Sequence, residues 1–165
     1  MASIVSTIST TLVLSLAFGG QFVTPQSSCP DGGFITTCIY PGYNFTDSNL
    51  GMYCLNNQVD LFAYNWTSLD LNLCVANNGG TLIAWDSGAY ADSCSNCSVT
   101  KTSTLYLTCD CEDMGGSQIA STLDLNTVIY NVDGAMNCCG NTGSKTWKGP
   151  GNDVDIQGLR GTHLP

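Results

Sequence analysis

This chain is written twice, and that limits its folds more than anything else in it. Gly32-Gly33-Phe34-Ile35-Thr36-Thr37-Cys38 recurs as Gly88-Ala89-Tyr90-Ala91-Asp92-Ser93-Cys94. Leu69-Asp70-Leu71-Asn72 recurs as Leu123-Asp124-Leu125-Asn126, and Asn77 and Gly80 recur as Asn131 and Gly134. Leu50 and Cys54 match Leu105 and Cys109. The offset falls from 56 to 55 to 54 along the chain, as short loop insertions and deletions would produce. Internal repeats define architecture. Two similar units sharing one core place similar surfaces twice, which points to bivalent binding before catalysis.

The first repeat is read as residues 32–85 and the second as 86–140. Ala84-Trp85-Asp86-Ser87 is too short for a linker between independent domains, so the repeats form one body. Residues 141–165 lack period-two patterning and read as a flexible tail. Residues 20–31, with Pro25 and Pro30, read as an irregular lead-in. Residues 1–28 carry no charged side chain, and the apolar stretch Ile4 to Phe18 is too short to span a bilayer but suits an export signal. Ala17-Phe18-Gly19 offers a cleavage point, giving a signal peptide over 1–19. No other stretch is apolar enough to cross a membrane.

Ten cysteines and one histidine, His163, argue for disulfides in an oxidising compartment. Metal binding would bring more histidines, and the CxxC spacing Cys94 to Cys97 has no partner knuckle, so no metal or cofactor is expected. The net charge of −9 with four basic residues disfavours nucleic acid and anionic membranes. Charged residues make up only 10% of the chain, leaving a surface of Asn, Ser, Thr and Gly that suits neutral polar ligands. Three sequons begin at Asn44, Asn65 and Asn96, and Asn44 lies in the most polar loop.

Inside the repeats the hydrophobic period is two, and the fold class is all-β, disulfide-rich, with short strands. Leu105, Leu107, Cys109 and Cys111 alternate with Tyr106, Thr108, Asp110 and Glu112. Ile119, Ser121, Leu123 and Leu125 alternate with Ala120, Thr122, Asp124 and Asn126. Leu50, Met52 and Cys54 repeat the first face. Asp133-Gly134 and Asn78-Gly79 mark tight hairpin turns. Strict alternation would bury Asn65 with Leu69 and Leu71 and expose Trp66. A core role for Trp66 then requires a bulge, or a strand beginning after Thr67.

Equivalence between the repeats pairs Cys38 with Cys54 and Cys94 with Cys109. Each pair closes a loop of about 15 residues, worth on the order of 3 kcal/mol by loop entropy. Cys97 and Cys111 are both missing from the first repeat, which pairs them with each other. Adjacent Cys138 and Cys139 reach different partners, with Cys29 and Cys74 as the two remaining thiols.

The ordered set Gly-x-Phe-x-x-Thr-Cys, Leu-x-x-x-Cys and Leu-Asp-Leu-Asn-x-x-Ile-x-Asn-x-Asp-Gly resembles the cyanovirin-N homology domain. The last block is carried most fully by Ser121 to Gly134, and the likeness spans about Gly32 to Gly140. The resemblance implies a pseudo-symmetric body in which each half joins a three-stranded sheet from one repeat to a hairpin from the other. It implies the intra-repeat disulfides just described, and shallow sites for mannose-rich glycans at one end or both. Carried over by position, the first end uses Thr36, Thr37, Leu55, Asn57, Asn131 and Asp133. The second uses Asp92, Ser93, Asp110, Glu112, Asn77 and Asn78. The second end is the better stocked with carboxylates and amides, which suit vicinal sugar hydroxyls. Basic residues common in the family's sites are absent from these positions, and Gly79 stands where the other hairpin has Asp133.

The leading expectation is a secreted, non-catalytic lectin that is a monomer or a hairpin-swapped dimer. A disulfide-stapled interaction protein that has lost sugar binding is the competing one. Asp110, Glu112 and Asp113 could in principle supply paired carboxylates for glycoside hydrolysis. Asp110 and Glu112 share one face of one strand, whereas such a pair flanks the scissile bond from two sides. There is no GxSxG motif, so catalysis is not expected.

Overall fold

The computed structural model describes residue 29, residues 32–57 and residues 64–146, with the backbone alone at 39–41. Twelve strands carry it: β1 Cys38–Thr46, β2 Asn49–Leu55, β3 Tyr64–Asp70, β4 Val75–Asn77, β5 Leu82–Ala84, β6 Cys94–Lys101, β7 Leu105–Glu112, β8 Gln118–Asp124, β9 Tyr130–Val132, β10 Ala135–Cys138, β11 Asn141–Thr142 and β12 Ser144–Thr146. The sheets are β1-β2-β3-β12, β6-β7-β8, β4-β5 and β11-β10-β9. Helical structure among the described residues is limited to single 3-10 turns at Phe34–Thr36, Leu71–Leu73, Tyr90–Asp92 and Leu125–Thr127. Residues 1–19, read above as a signal peptide, most of the lead-in and residues 147–165, including His163, lie outside the described residues.

The core follows from the alternation. Leu105, Leu107, Cys109 and Cys111 turn inward along β7, and Leu50, Met52 and Cys54 do so along β2. Leu69, Leu71, Leu125, Ile129 and Met136 close the same cluster. The hairpins cross between repeats, as the family resemblance implied. The Met136 amide donates to Thr67 Oγ1 at 3.0 Å, bringing β10 onto β3. The Leu82 amide donates to Ser121 Oγ at 2.8 Å, bringing β5 onto β8.

The duplicated Leu-Asp-Leu-Asn block is the clasp between repeats. Asp70 caps its 3-10 turn by accepting the Asn72 amide at 3.0 Å, and Asp124 accepts the Asn126 amide at 2.9 Å. The asparagines then reach across: Asn126 Oδ1 accepts the Ile35 amide, and Asn72 Oδ1 accepts the Ala91 amide, both at 3.1 Å. Gly32 is required here, because a Cβ on it would sit 1.8 Å from the Asn126 carbonyl oxygen.

Several expectations need correction. Trp66 is buried with no bulge in β3 and no late start: Tyr53 pairs with Trp66 and Cys54 with Asn65 in unbroken register. It covers the outer face of the sheet, edge-on to Tyr53 with ring centroids 5.0 Å apart. The indole lies over Gly51, where a Cβ would come within 2.3 Å of it. Ile119, expected inside, is exposed near the start of β8. The first hairpin turns one residue later than expected. Asn78 and Thr81 exchange backbone hydrogen bonds, so Gly79 and Gly80, both at positive φ, form the turn and match Asp133-Gly134. Residues 141–146 are not tail: β12 pairs antiparallel with β3, Lys145 opposite Thr67.

The disulfides include one exchange of partners. Cys38 bonds Cys54, Cys74 bonds Cys138 and Cys29 bonds Cys139. Cys94 bonds Cys111 and Cys97 bonds Cys109, in place of Cys94–Cys109 and Cys97–Cys111. The cause is the bulge in the first strand of each repeat. Between Ile39/Tyr53 and Asn44/Gly51 strand β1 carries three extra residues. Between Ser95/Asp110 and Ser98/Thr108 strand β6 carries one. Two fewer bulge residues carry Cys94 two positions further along its partner strand, from Cys109 to Cys111.

Candidate functional site

Each end is built by a hairpin of one repeat docking on the sheet of the other, and a single asparagine locks each dock. At the second end Asn77 Nδ2 donates to the Glu112 carbonyl at 2.8 Å and to Ser93 Oγ at 3.0 Å. Its Oδ1 accepts the Gly80 amide at 2.8 Å, which fixes the hairpin turn. At the first end Asn131 Nδ2 donates to the Leu55 carbonyl at 2.9 Å, and its Oδ1 accepts the Gly134 amide at 3.0 Å. Asn77 and Asn131, two of the asparagines expected to meet ligand, are therefore engaged in holding the hairpins.

This symmetry identifies the true counterparts. The Leu55 amide donates to the Thr37 carbonyl as the Glu112 amide donates to Ser93. Glu112, not Asp110, thus stands where Leu55 stands. Ser93, Asn77 and Glu112 come together at the second end. Asp110 is held by Asn96, whose Nδ2 donates to it at 3.0 Å from the β6 bulge. Asp113 is also committed, with Oδ1 accepting the Gly115 and Ser117 amides at 2.8 Å. Asp92 is exposed on its 3-10 turn, and Asn78 is exposed at the hairpin tip.

Beside that hairpin lies a cleft of about 330 Å³ lined by Ala76, Asn77, Asn78, Ile83, Trp85, Ser87 and Gly88. Its far wall is the segment joining the repeats, laid along residues 72–74. The Trp85 amide donates to the Cys74 carbonyl at 2.9 Å, the Ser87 amide to the Leu73 carbonyl at 3.0 Å and the Ala89 amide to the Asn72 carbonyl at 2.9 Å. Asn141 Nδ2 pins the segment from outside, donating to Leu73 O and Asp86 Oδ1 at 3.0 Å each. Half-buried Trp85 and Ile83 give the cleft an apolar wall, and exposed Asn78 and Ser87 give it donors and acceptors. An indole face matches the C–H face of a pyranose ring, while amide and hydroxyl groups meet its hydroxyls. Repeat comparison passed over Trp85 and Ser87 because they occur once, at the junction. An aromatic in an otherwise polar junction was the available signal.

The first end is organised around Asp133. Its Oδ1 accepts the Asn57 amide at 2.9 Å. Lys145 Nζ donates to the Asp133 carbonyl at 3.0 Å and lies 3.5 Å from Oδ2. The Asn57 amide holds this carboxyl below its usual range; desolvation opposes it, and the Lys145 charge and hydrogen bond add to the lowering. The Thr36 and Thr37 hydroxyls donate back to the carbonyls of Gly33 and Phe34. Leu55 is exposed. At the second end the place of Asp133 is taken by Gly79, beside which Met114 is 94% exposed.

A family model of the CVNH domain matches residues 34–137. Among solved structures, the fold is similar to that of the CVNH protein of Gibberella zeae, with TM-score 0.56 and 21% identity over 66% of this chain and 98% of that one. It is also similar to microvirin, described in complex with mannobiose, with TM-score 0.54 and 23% identity over 65% and 98%. A variant of MoCVNH3, described in complex with (N-GlcNAc)4, gives TM-score 0.57 and 14% identity over 66% and 97%. No curated protein matches.

Proposed function

This chain belongs to the CVNH domain family, and from that footing we propose that it is an exported, non-catalytic lectin for mannose-type glycans. The observation that carries this reading is the second-end cleft, with the Trp85 and Ile83 wall facing the Asn78 and Ser87 rim. Neutral donors and acceptors around an aromatic face suit a neutral oligosaccharide, and they need no cofactor. Sugar complexes of two similar folds, microvirin with mannobiose and the MoCVNH3 variant with (N-GlcNAc)4, support the class of ligand. Five disulfides and an uncharged segment 1–28 with an apolar stretch from Ile4 to Phe18 support export.

The test is an array of immobilised mannose and N-acetylglucosamine oligosaccharides probed with the exported protein. Retention on mannose-terminated glycans is expected. An array without signal would count against the lectin reading. It would favour a protein-binding role, for which exposed Met114 and Ile119 beside the Gly79-Gly80 turn offer an apolar contact.

A further inference from the structure

We propose that Lys145, carried on the C-terminal strand β12, completes a sugar site at the first end by pairing with Asp133 as its basic hydroxyl donor. The proposal rests on the lectin reading above and adds a residue from beyond the stretch that matches the family model, which ends at residue 137.

Three observations converge on it. Strand β12 adds to the outer edge of β3, with Ser144, Lys145 and Thr146 opposite Ser68, Thr67 and Trp66. That register delivers the Lys145 ammonium to the tip of the β9–β10 hairpin, 3.0 Å from the Asp133 carbonyl and 3.5 Å from its Oδ2. The pair is open to solvent, with side chains 41% and 40% exposed, so a ligand can reach both partners. The second end has no counterpart: its hairpin carries Gly79 in place of Asp133, and β5 runs directly into the junction segment.

The chemistry of the pair fits a vicinal diol. Asp133 Oδ1 is occupied by the Asn57 amide, while Oδ2 retains lone pairs that accept from one hydroxyl. An ammonium has three donors. The Asp133 carbonyl takes one and Oδ2 another, leaving a third for the neighbouring hydroxyl oxygen. Charge-assisted bonds of this type are the stronger class. The ends would then differ in kind: an aromatic cleft at the second, an ion-pair clasp at the first.

The experiment is a two-dimensional amide NMR titration of the 15N-labelled chain with mannobiose and, separately, with (N-GlcNAc)4. The Asn57 and Asp133 amides report the first end, and Asn78 and Ser87 report the second. In the unmodified chain both sets are expected to shift saturably with at least one sugar. Lys145→Met keeps most of the stem but removes the charge. It should weaken first-end binding about tenfold or more, a loss of about 1.4 kcal/mol, while second-end affinity, which also verifies folding, stays unchanged. Lys145→Arg, which keeps the charge and hydrogen-bond donors, should retain most first-end binding. First-end affinity unchanged in Lys145→Met, or a first end silent while the second responds, overturns the proposal. Silence at both ends removes the lectin reading and this proposal with it.

Discussion

Asn131 Nδ2 lies 2.9 Å from the carbonyl oxygen of Leu55, and this bond joins the hairpin of the second repeat to the sheet of the first. Its twin, Asn77 to Glu112, does the same at the opposite end at 2.8 Å. Each asparagine also accepts an amide from its own turn, so one side chain sets both turn and dock. Asn131→Ala should therefore cost about 1–3 kcal/mol of stability, the net worth of the two hydrogen bonds it removes. Urea denaturation measures it, and Asn77→Ala should cost a similar amount.

The two halves are joined covalently as well as by packing. Cys74–Cys138 and Cys29–Cys139 each bridge the first part of the chain to the end of the second repeat. Exchange of halves between two chains, with the junction at 85–89 as hinge, would require those bonds to form between molecules. The oxidised chain should run as a monomer in light scattering, and any dimer should persist in non-reducing denaturing gels. A dimer that dissociates to intact monomers there would contradict this. In the loop-entropy model, closing the 64-residue separation of Cys74–Cys138 contributes about 4 kcal/mol, so Cys74→Ser/Cys138→Ser should be markedly less stable.

Much of this body was legible in the duplicated residues, because what both halves keep is what builds them. Asp70/Asp124 cap, Asn72/Asn126 clasp and Asn77/Asn131 dock. The same logic misled where the halves differ. Equating Cys54 with Cys109 ignored bulge length, which no local pattern in β1 or β6 reports, and so misplaced the Cys94 and Cys97 partners. It also put Asp110 where Glu112 belongs. Trp85 and Lys145 were missed for the converse reason. Each occurs once, and each reaches its end only through tertiary pairing: Trp85 through the junction laid along residues 72–74, Lys145 through β12 on β3.

Tyr90 is fully buried, and burial, aided by the Asp70 charge, pushes its phenol up to about 12. In the unfolded chain the phenol ionises near 10. The folded state thus holds a proton that the unfolded state releases, and stability falls as pH rises from about 10 towards 12. By pH 11 this amounts to about 1 kcal/mol. Tyr90→Phe should flatten the decline in denaturant midpoint between pH 9 and 11, and an equally steep decline in the variant would refute the assignment.

The sequons differ in access. Asn44 is exposed on β1 near its turn, with Thr46 Oγ1 donating to its side-chain oxygen at 3.3 Å. Asn65 accepts from Asn56 and faces the hairpin, where a Cβ on Gly134 would lie 2.8 Å from its Oδ1. A glycan there would displace the docked hairpin. Mass spectrometry of protein exported from a glycosylating cell should find Asn44 occupied and Asn65 bare.

The indole N–H resonance of Trp85, assigned by its loss in Trp85→Phe, gives the most direct test of sugar binding in the cleft. Titration with mannobiose is expected to shift that resonance saturably, with Trp66, which covers the far side of another sheet, left in place. A sugar that binds the protein while the Trp85 signal stays fixed would contradict the site, and so would a Trp85→Ala variant that binds as well as the unmodified chain.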